Sequence, residues 1–390
     1  MAGRKCYIPV GHMTRRKLAE AKTIVVKVGS SLLASLTGGL DTRFLYGLIG
    51  ELAALHGDGR RVVLVSSGAV AAGTAELRLP GRPTHLPEIQ AAAAVGQGAL
   101  IQAYRDAFGY HHITVGQVLL TRDVLEERRR FLHARNTLLA LLAHGVLPIV
   151  NENDTVAVEE LKLKMGDNDA LAASVAQLVD AECLVLLSDV PGLYDRPPSE
   201  EGAALLSRVE AVTAEVRGMA GGSVSGVGSG GMATKLNAAL AAGVAAIPLV
   251  VADGKRENVL RDILAGREVG TLFEPRKERL DARRQWIAFG RPPSGTLTVD
   301  RGARRAIVED GHSLLPIGVR EAGGEFCEGD TVRIVDGDGV EIARGLVNFS
   351  SAEMARIAGL RSAEIAALLG YDAAQEAVHR DNLIVLIPQG

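Results

Sequence analysis

Cysteine is scarce in this 390-residue chain: Cys6, Cys183 and Cys327 are odd in number and far apart. They build neither a disulfide framework nor a Cys-x-x-Cys zinc pattern, so a reducing, cytoplasmic setting is expected. Aromatic residues make up only 4%, too few for the stacking platforms that hold single-stranded nucleic acid. No charge sign dominates. The 43 basic side chains stand against 46 acidic ones, a net charge of -3, which excludes a uniformly basic nucleic-acid binder. Long hydrophobic runs are missing too: no segment approaches the roughly 18–20 uncharged apolar residues that cross a bilayer, and no membrane partner is expected. Arg4, Lys5, Arg15, Arg16 and Lys17 have no apolar stretch among them, so no secretory signal is read there. Residues 1–20 are read as a loose N-terminal extension.

What the chain does have is 47% hydrophobic residues and a length that calls for two or three domains. Short apolar runs recur, each ending in small or polar residues. Ile24–Val28 leads into Gly29-Ser30-Ser31, Val62–Val65 into Ser66-Ser67-Gly68, and Val146–Val150 into Asn151-Glu152-Asn153-Asp154. Leu184–Leu187 leads into Ser188-Asp189, and Ile247–Val251 into Ala252-Asp253-Gly254. Unbroken β-branched runs suit strands buried on both faces, and alanine-rich stretches such as Ala91–Ala94 and Arg135–His144 suit crossover helices. The fold class expected is α/β, a mainly parallel sheet sandwiched by helices. Ligands of such sheets sit beyond the carboxyl ends of the strands, where these Ser, Gly, Asn and Asp residues gather.

Near residue 290 the character changes. Gly290-Arg291-Pro292-Pro293-Ser294-Gly295 reads as a domain edge. Thr331–Val335, the turn Asp336-Gly337-Asp338-Gly339 and Val340–Ala343 then predict a β-hairpin, and Ser350-x-x-Glu353 predicts a capping box. A larger α/β unit over residues 21–285 and a small, mostly β unit over 291–390 are expected. The latter carries ten arginines against fifteen acidic residues, a poor surface for a polyanion.

Three clusters carry chemistry. Gly218–Lys235 holds seven glycines and ends in a lysine. It is neither a dinucleotide fingerprint, having no strand before it, nor a Walker A loop, lacking Gly-Lys-Ser/Thr. A flexible linker is the plain reading; the functional one is a loop whose backbone N–H groups approach phosphate and lead into a helix near Met232. Lys27 lies inside an apolar strand, where burying an ammonium calls for an anionic partner. The chain has only nine lysines against 34 arginines, so two beside glycine-rich turns stand out. Asn151–Asp154 and Asp167–Asp169 gather four carboxylates and three amides. They could simply cap helices and shape turns, or they could hold an amino group and organise Mg²⁺ or a lysine. His111 and His112 lack metal-ligand spacing and are read as structural.

Val26–Ser31, Val65–Ala69, Asn151–Thr155, Gly166–Asp169, Leu186–Tyr194 and Ser229–Lys235 together resemble the amino acid kinase family. The likeness is strongest to the branch that transfers phosphate from ATP to the γ-carboxylate of L-glutamate, opening proline synthesis. It extends from about residue 22 to the end, with the tail similar to a PUA domain. The resemblance implies that Lys27 and Lys235 contact ATP phosphates and that Asp169 orients them. It implies glutamate binding by Ser67, Asp154 and Asn168. A nucleotide site is implied at Ser188, Asp189, Ser229, Gly230, Gly231, Met232, Ala233, Thr234 and Lys235. ATP with Mg²⁺, feedback inhibition by proline and a homo-oligomer follow from the same likeness, while metal ligands do not. Two departures stand out: Ser188 where the family more often has Thr, and a stretch at Leu161–Lys164 two residues longer than usual. Related kinases act on aspartate, N-acetylglutamate, carbamate or a nucleoside monophosphate. A PUA-like tail also occurs in RNA-modifying enzymes, so an RNA partner is the alternative of another class.

Overall fold

The computed structural model describes residues 15, 17–35, 39–121, 127–156, 168–220, 231–275, 287, 293–370 and 374–387. Two compact units emerge, Met1–Glu210 with Val216–Lys277, and Ala211–Glu215 with Glu278–Gly390.

The first unit is built on β1 (Thr23–Val28), every residue of which is buried. An unbroken TIVVKV run suits a strand with no solvent face. Helix α1 (Thr42–Gly57) follows, its first turn capped by the Asp41 carboxylate accepting from Phe44 N at 3.0 Å. Next come β2 (Arg61–Ser66), α2 (Ala69–Glu76), α3 (Leu86–Gly109), β3 (Val115–Leu120), α4 (Arg128–Ala143) and β4 (Leu147–Glu152). Helix α5 (Asn168–Leu178), β5 (Cys183–Ser188), β6 (Arg208–Val209), α6 (Met232–Val244), β7 (Leu249–Asp253), α7 (Val259–Leu264) and β8 (Thr271–Phe273) complete it. The sheet order is β3-β4-β2-β1-β5-β7-β8-β6, with every pair parallel except β7 and β8.

Register decides where the polar strand ends fall. Val28 lies opposite Ser66 on one side and Leu187 on the other, Val65 opposite Val150, and Ser188 opposite Asp253. Gly29, Ser67, Asn151 and Ser188 therefore line one rim of the sheet. All five expected strands are present. The sequence reading missed β3, whose pattern alternates between half-buried and exposed as befits an edge, and the very short β6 and β8.

One expectation is corrected. The end of the supposed loose extension is fixed: Leu18 is fully buried in the core with Ile24 and Leu45. The Arg15 guanidinium donates to Arg267 O at 2.6 Å and Ser207 O at 2.8 Å.

The second unit contains β9 (Gly295–Val299), α8 (Arg301–Val308), β10 (Val319–Gly324), β11 (Thr331–Val335), β12 (Glu341–Leu346), α9 (Ser351–Ile357), α10 (Ser362–Leu369) and β13 (Leu383–Val385). Its sheet runs β10-β9-β11-β12-β13, antiparallel apart from β9 with β11. The predicted hairpin is β11–β12, closed where Asp336 N donates to Val340 O at 3.0 Å. The capping box forms in both directions at Ser350 and Glu353.

Candidate active site

Lys27 is the penultimate residue of β1 and only 6% exposed. Its ammonium meets the Asp169 carboxylate at 2.5 Å. Lys235, in the first turn of α6 and 4% exposed, reaches the other oxygen of the same carboxylate at 3.2 Å. Thr234 adds a hydroxyl, donating to Asp169 Oδ2 at 2.9 Å. Asp169 itself is fully buried in the first turn of α5. Burial on its own would raise its carboxyl, but the two lysine charges outweigh that and hold it below the usual carboxylate range. A buried charge needs such partners, so each member of the trio explains the others. The plain reading of Asp169 as a helix cap does not hold, because its oxygens face the lysines and Thr234.

Neighbouring Asn168 turns the opposite way along the rim. Its Nδ2 donates to Ser66 O at 2.8 Å, Ser67 Oγ at 2.9 Å and Asn151 Oδ1 at 3.0 Å. Its Oδ1 is buried and has no partner among the described residues. Asn151 Oδ1 also accepts from Glu152 N at 2.8 Å, and Asn151 Nδ2 donates to Gln97 Oε1 at 2.8 Å. Ser66 Oγ and Tyr104 OH lie 2.8 Å apart, and burial pushes the Tyr104 hydroxyl well above its ordinary range.

These groups border an open cleft of about 1100 Å³, lined among others by Ser31, Ser67, Gly68, Arg82, Asp154 and Asn168. Gly68 caps α2 at φ +103°, a left-handed conformation that favours glycine. Helices α2 and α3 meet almost backbone to backbone: a Cβ on Gly96 would lie 1.9 Å from Ala69 O, and one on Gly73 1.7 Å from Ala92 O. That approach sets the helix carrying Ser67-Gly68 at its start against the helix carrying Gln97 and Tyr104. Asp154 is pushed up to about 6, first by burial and then by Glu152, with Arg82 opposing.

On the other side, Ser188 ends β5 beside β1 and its hydroxyl donates to Asp189 Oδ1 at 3.2 Å. Gly231 caps α6, followed by Met232, Ala233, Thr234 and Lys235. Ser229, Gly230, Asp167 and the Leu161–Lys164 stretch lie outside the described residues. The structure thus brings Lys27, Lys235 and Asp169 into contact and sets Ser67, Asp154 and Asn168 on one cleft. Sequence reasoning missed Gln97, Tyr104 and the Gly73–Gly96 approach. The only signal for the first was an amide interrupting the alanine-rich run of α3.

A parallel sheet with paired lysines at its rim defines a phosphotransferase class, and the matching family model is named for it. The chain belongs to the amino acid kinase family, whose model matches residues 22–253, while residues 295–369 match the PUA domain. Across nearly its full length it is similar to proteins named glutamate 5-kinase. That of Myxococcus xanthus is 50% identical over 95% of this chain and 98% of its own. That of Geobacter sulfurreducens is 49% identical over 95% and 99%, and that of Citrifermentans bemidjiense 48% over 96% and 100%. Among the described residues no helix is long and apolar enough to cross a membrane.

Proposed function

We propose that this chain transfers the γ-phosphoryl group of ATP to the side-chain carboxylate of L-glutamate, forming L-glutamyl 5-phosphate for proline synthesis. The observation that carries the reading is the convergence of two buried ammonium groups on Asp169 beside a cleft of amides and hydroxyls. A carboxylate acceptor is already ionised at neutral pH, so no general base is required. The barrier is the approach of two anions, which calls for fixed cations and in-line positioning. Lys27 and Lys235 supply those charges, and Asp169 holds both in place. Ser188, Asp189 and the start of α6 bind the nucleotide in this reading. Asp154, Asn168 and Ser67 hold the amino acid. Among the described residues no cluster of His, Cys, Asp or Glu could hold a metal ion by itself, so Mg²⁺ would arrive with ATP and supply shielding of phosphate charge.

Residues 21–285 form the catalytic unit in this proposal and 291–390 a PUA-like unit. The setting is cytoplasmic, the assembly a homo-oligomer, and proline the feedback inhibitor. A coupled ADP-release assay tests the whole. L-Glutamate should support turnover that requires Mg²⁺ and falls with proline, whereas aspartate, N-acetylglutamate, carbamate and UMP should not. Turnover on one of those and not on glutamate would overturn the substrate assignment.

Asp154 gives the activity a pH signature. Its carboxyl must ionise to hold an ammonium, and in the free protein it does so only near pH 6. Below that, kcat/KM for glutamate should fall about tenfold per pH unit, with a smaller fall in the Asp154→Asn variant. The stability sign is the reverse of a salt bridge. A carboxyl raised in the folded state favours folding as pH drops from about 6 towards its unfolded value, and its ionised form opposes folding at pH 7. Asp154→Asn should therefore raise the Tm at pH 7 while weakening glutamate, and a lowered Tm would contradict the assigned environment.

A further inference from the structure

The polarity of the amides along the rim is set at both ends by main-chain groups. Ser66 O can only accept, so the side of Asn168 facing it must be the NH₂. Glu152 N can only donate, so the side of Asn151 facing it must be the carbonyl oxygen. The Nδ2 of Asn151 is then left to donate away from Asn168, and the acceptor that meets it is Gln97 Oε1 on α3. Asn168, only 4% exposed, is left with its Oδ1 as a buried acceptor without a partner among the described residues. An unsatisfied buried acceptor is costly until a donor arrives.

We infer that Gln97 is a positioning residue for the acceptor-substrate site. It locks Asn151, Asn151 helps lock Asn168, and Asn168 presents a carbonyl oxygen that selects a ligand bearing an ammonium group. The inference rests on the proposed reading of the cleft as an amino-acid site and deepens it. Ser67 fits the same scheme. Its Oγ accepts from Asn168, so its own hydrogen points elsewhere and is available to a carboxylate. The site thus offers acceptors for a ligand's ammonium and a donor for its carboxylate. A carboxylate lacking the ammonium leaves Asn168 unsatisfied and so is penalised.

Gln97 is half-buried on α3 and contacts neither lysine of the trio, so its loss should act on one substrate only. In Gln97→Met, which keeps length but removes the acceptor, the KM for L-glutamate should rise about tenfold, the size of one lost hydrogen bond near 1.4 kcal/mol. The KM for ATP and kcat at saturating glutamate should change less than about twofold. Gln97→Glu retains an acceptor and should recover most of the glutamate affinity.

Glutarate, which lacks the amino group, closes the cycle. Its Ki as a competitor of glutamate should be nearly the same in wild type and Gln97→Met, since the relay acts through the ammonium. An unchanged glutamate KM in Gln97→Met overturns the inference. So does an equal weakening of glutamate, glutarate and ATP, which would mark a general structural defect. Wild-type turnover on glutamate is measured first. Its absence would sink the substrate reading instead, and the two failures are thereby told apart.

Discussion

Lys235→Ala should lower kcat by about 10²–10³-fold, and Lys27→Ala by a similar factor, with the fold intact in both. The magnitude is that of losing one preorganised charge from a site where negative charge gathers in the transition state. Each ammonium is held by a fully buried carboxylate, at 3.2 Å for Lys235 and 2.5 Å for Lys27. Little reorganisation is then needed when phosphate arrives. Removing one lysine leaves Asp169 paired with the other, so no buried charge is abandoned and folding should survive. Asp169→Ala is the harsher change. It leaves two nearly buried cations without their shared anion, a defect of several kcal/mol, and it should reduce both stability and turnover. Single-turnover phosphoryl transfer with circular dichroism as the folding control is the check. Near-normal transfer in both lysine variants would remove them from the mechanism.

Gly96→Ala should destabilise the first unit by about 3 kcal/mol, at the upper end for inserting a methyl into a packed contact. The reason is what the new carbon would meet: Ala69 O at 1.9 Å and Gly73 N at 2.2 Å, both main chain and unable to rotate away. Helices α2 and α3 would have to part, carrying Ser67-Gly68 away from Gln97 and Tyr104, so the glutamate KM should rise as well. Gly98→Ala two residues on is the control, because nothing lies within 4 Å of its added carbon. There the usual helix preference for alanine should instead add about 0.5–1 kcal/mol. Urea and thermal unfolding of the two variants would read opposite signs. Equal midpoints would show that the helices are not in the close contact described.

The sheet was legible because strands buried on both faces must be written in unbroken apolar residues, and Ile24–Val28 and Leu184–Leu187 are. Lys27 was legible for the same reason, as a charge in a run with no solvent side. Lys235 was marked by the glycines before it. Edge strand β3 was hidden because all its residues but Leu120 are at least partly exposed. Leu18 was hidden because one apolar residue among basic ones carries no period. Asp169 as the hub of two lysines followed from family likeness, since two cations on one carboxylate is a fact of three-dimensional registration. Gln97 showed in the sequence only as an amide interrupting an alanine-rich run, which assigns it no partner. Its importance comes from β4 ending opposite one turn of α3, a relation between segments 54 residues apart.

The Lys27–Asp169–Lys235 trio is also completed late in synthesis. Its members enter the growing polypeptide one after another, the last 66 residues behind the carboxylate it joins. A ribosome adding roughly 5–20 residues per second spends several seconds between them. Through that interval the growing chain carries Lys27 and Asp169 but not Lys235. A fragment ending before α6 therefore lacks one of the two cations that the proposed transfer uses, and leaves Asp169 with Lys27 alone.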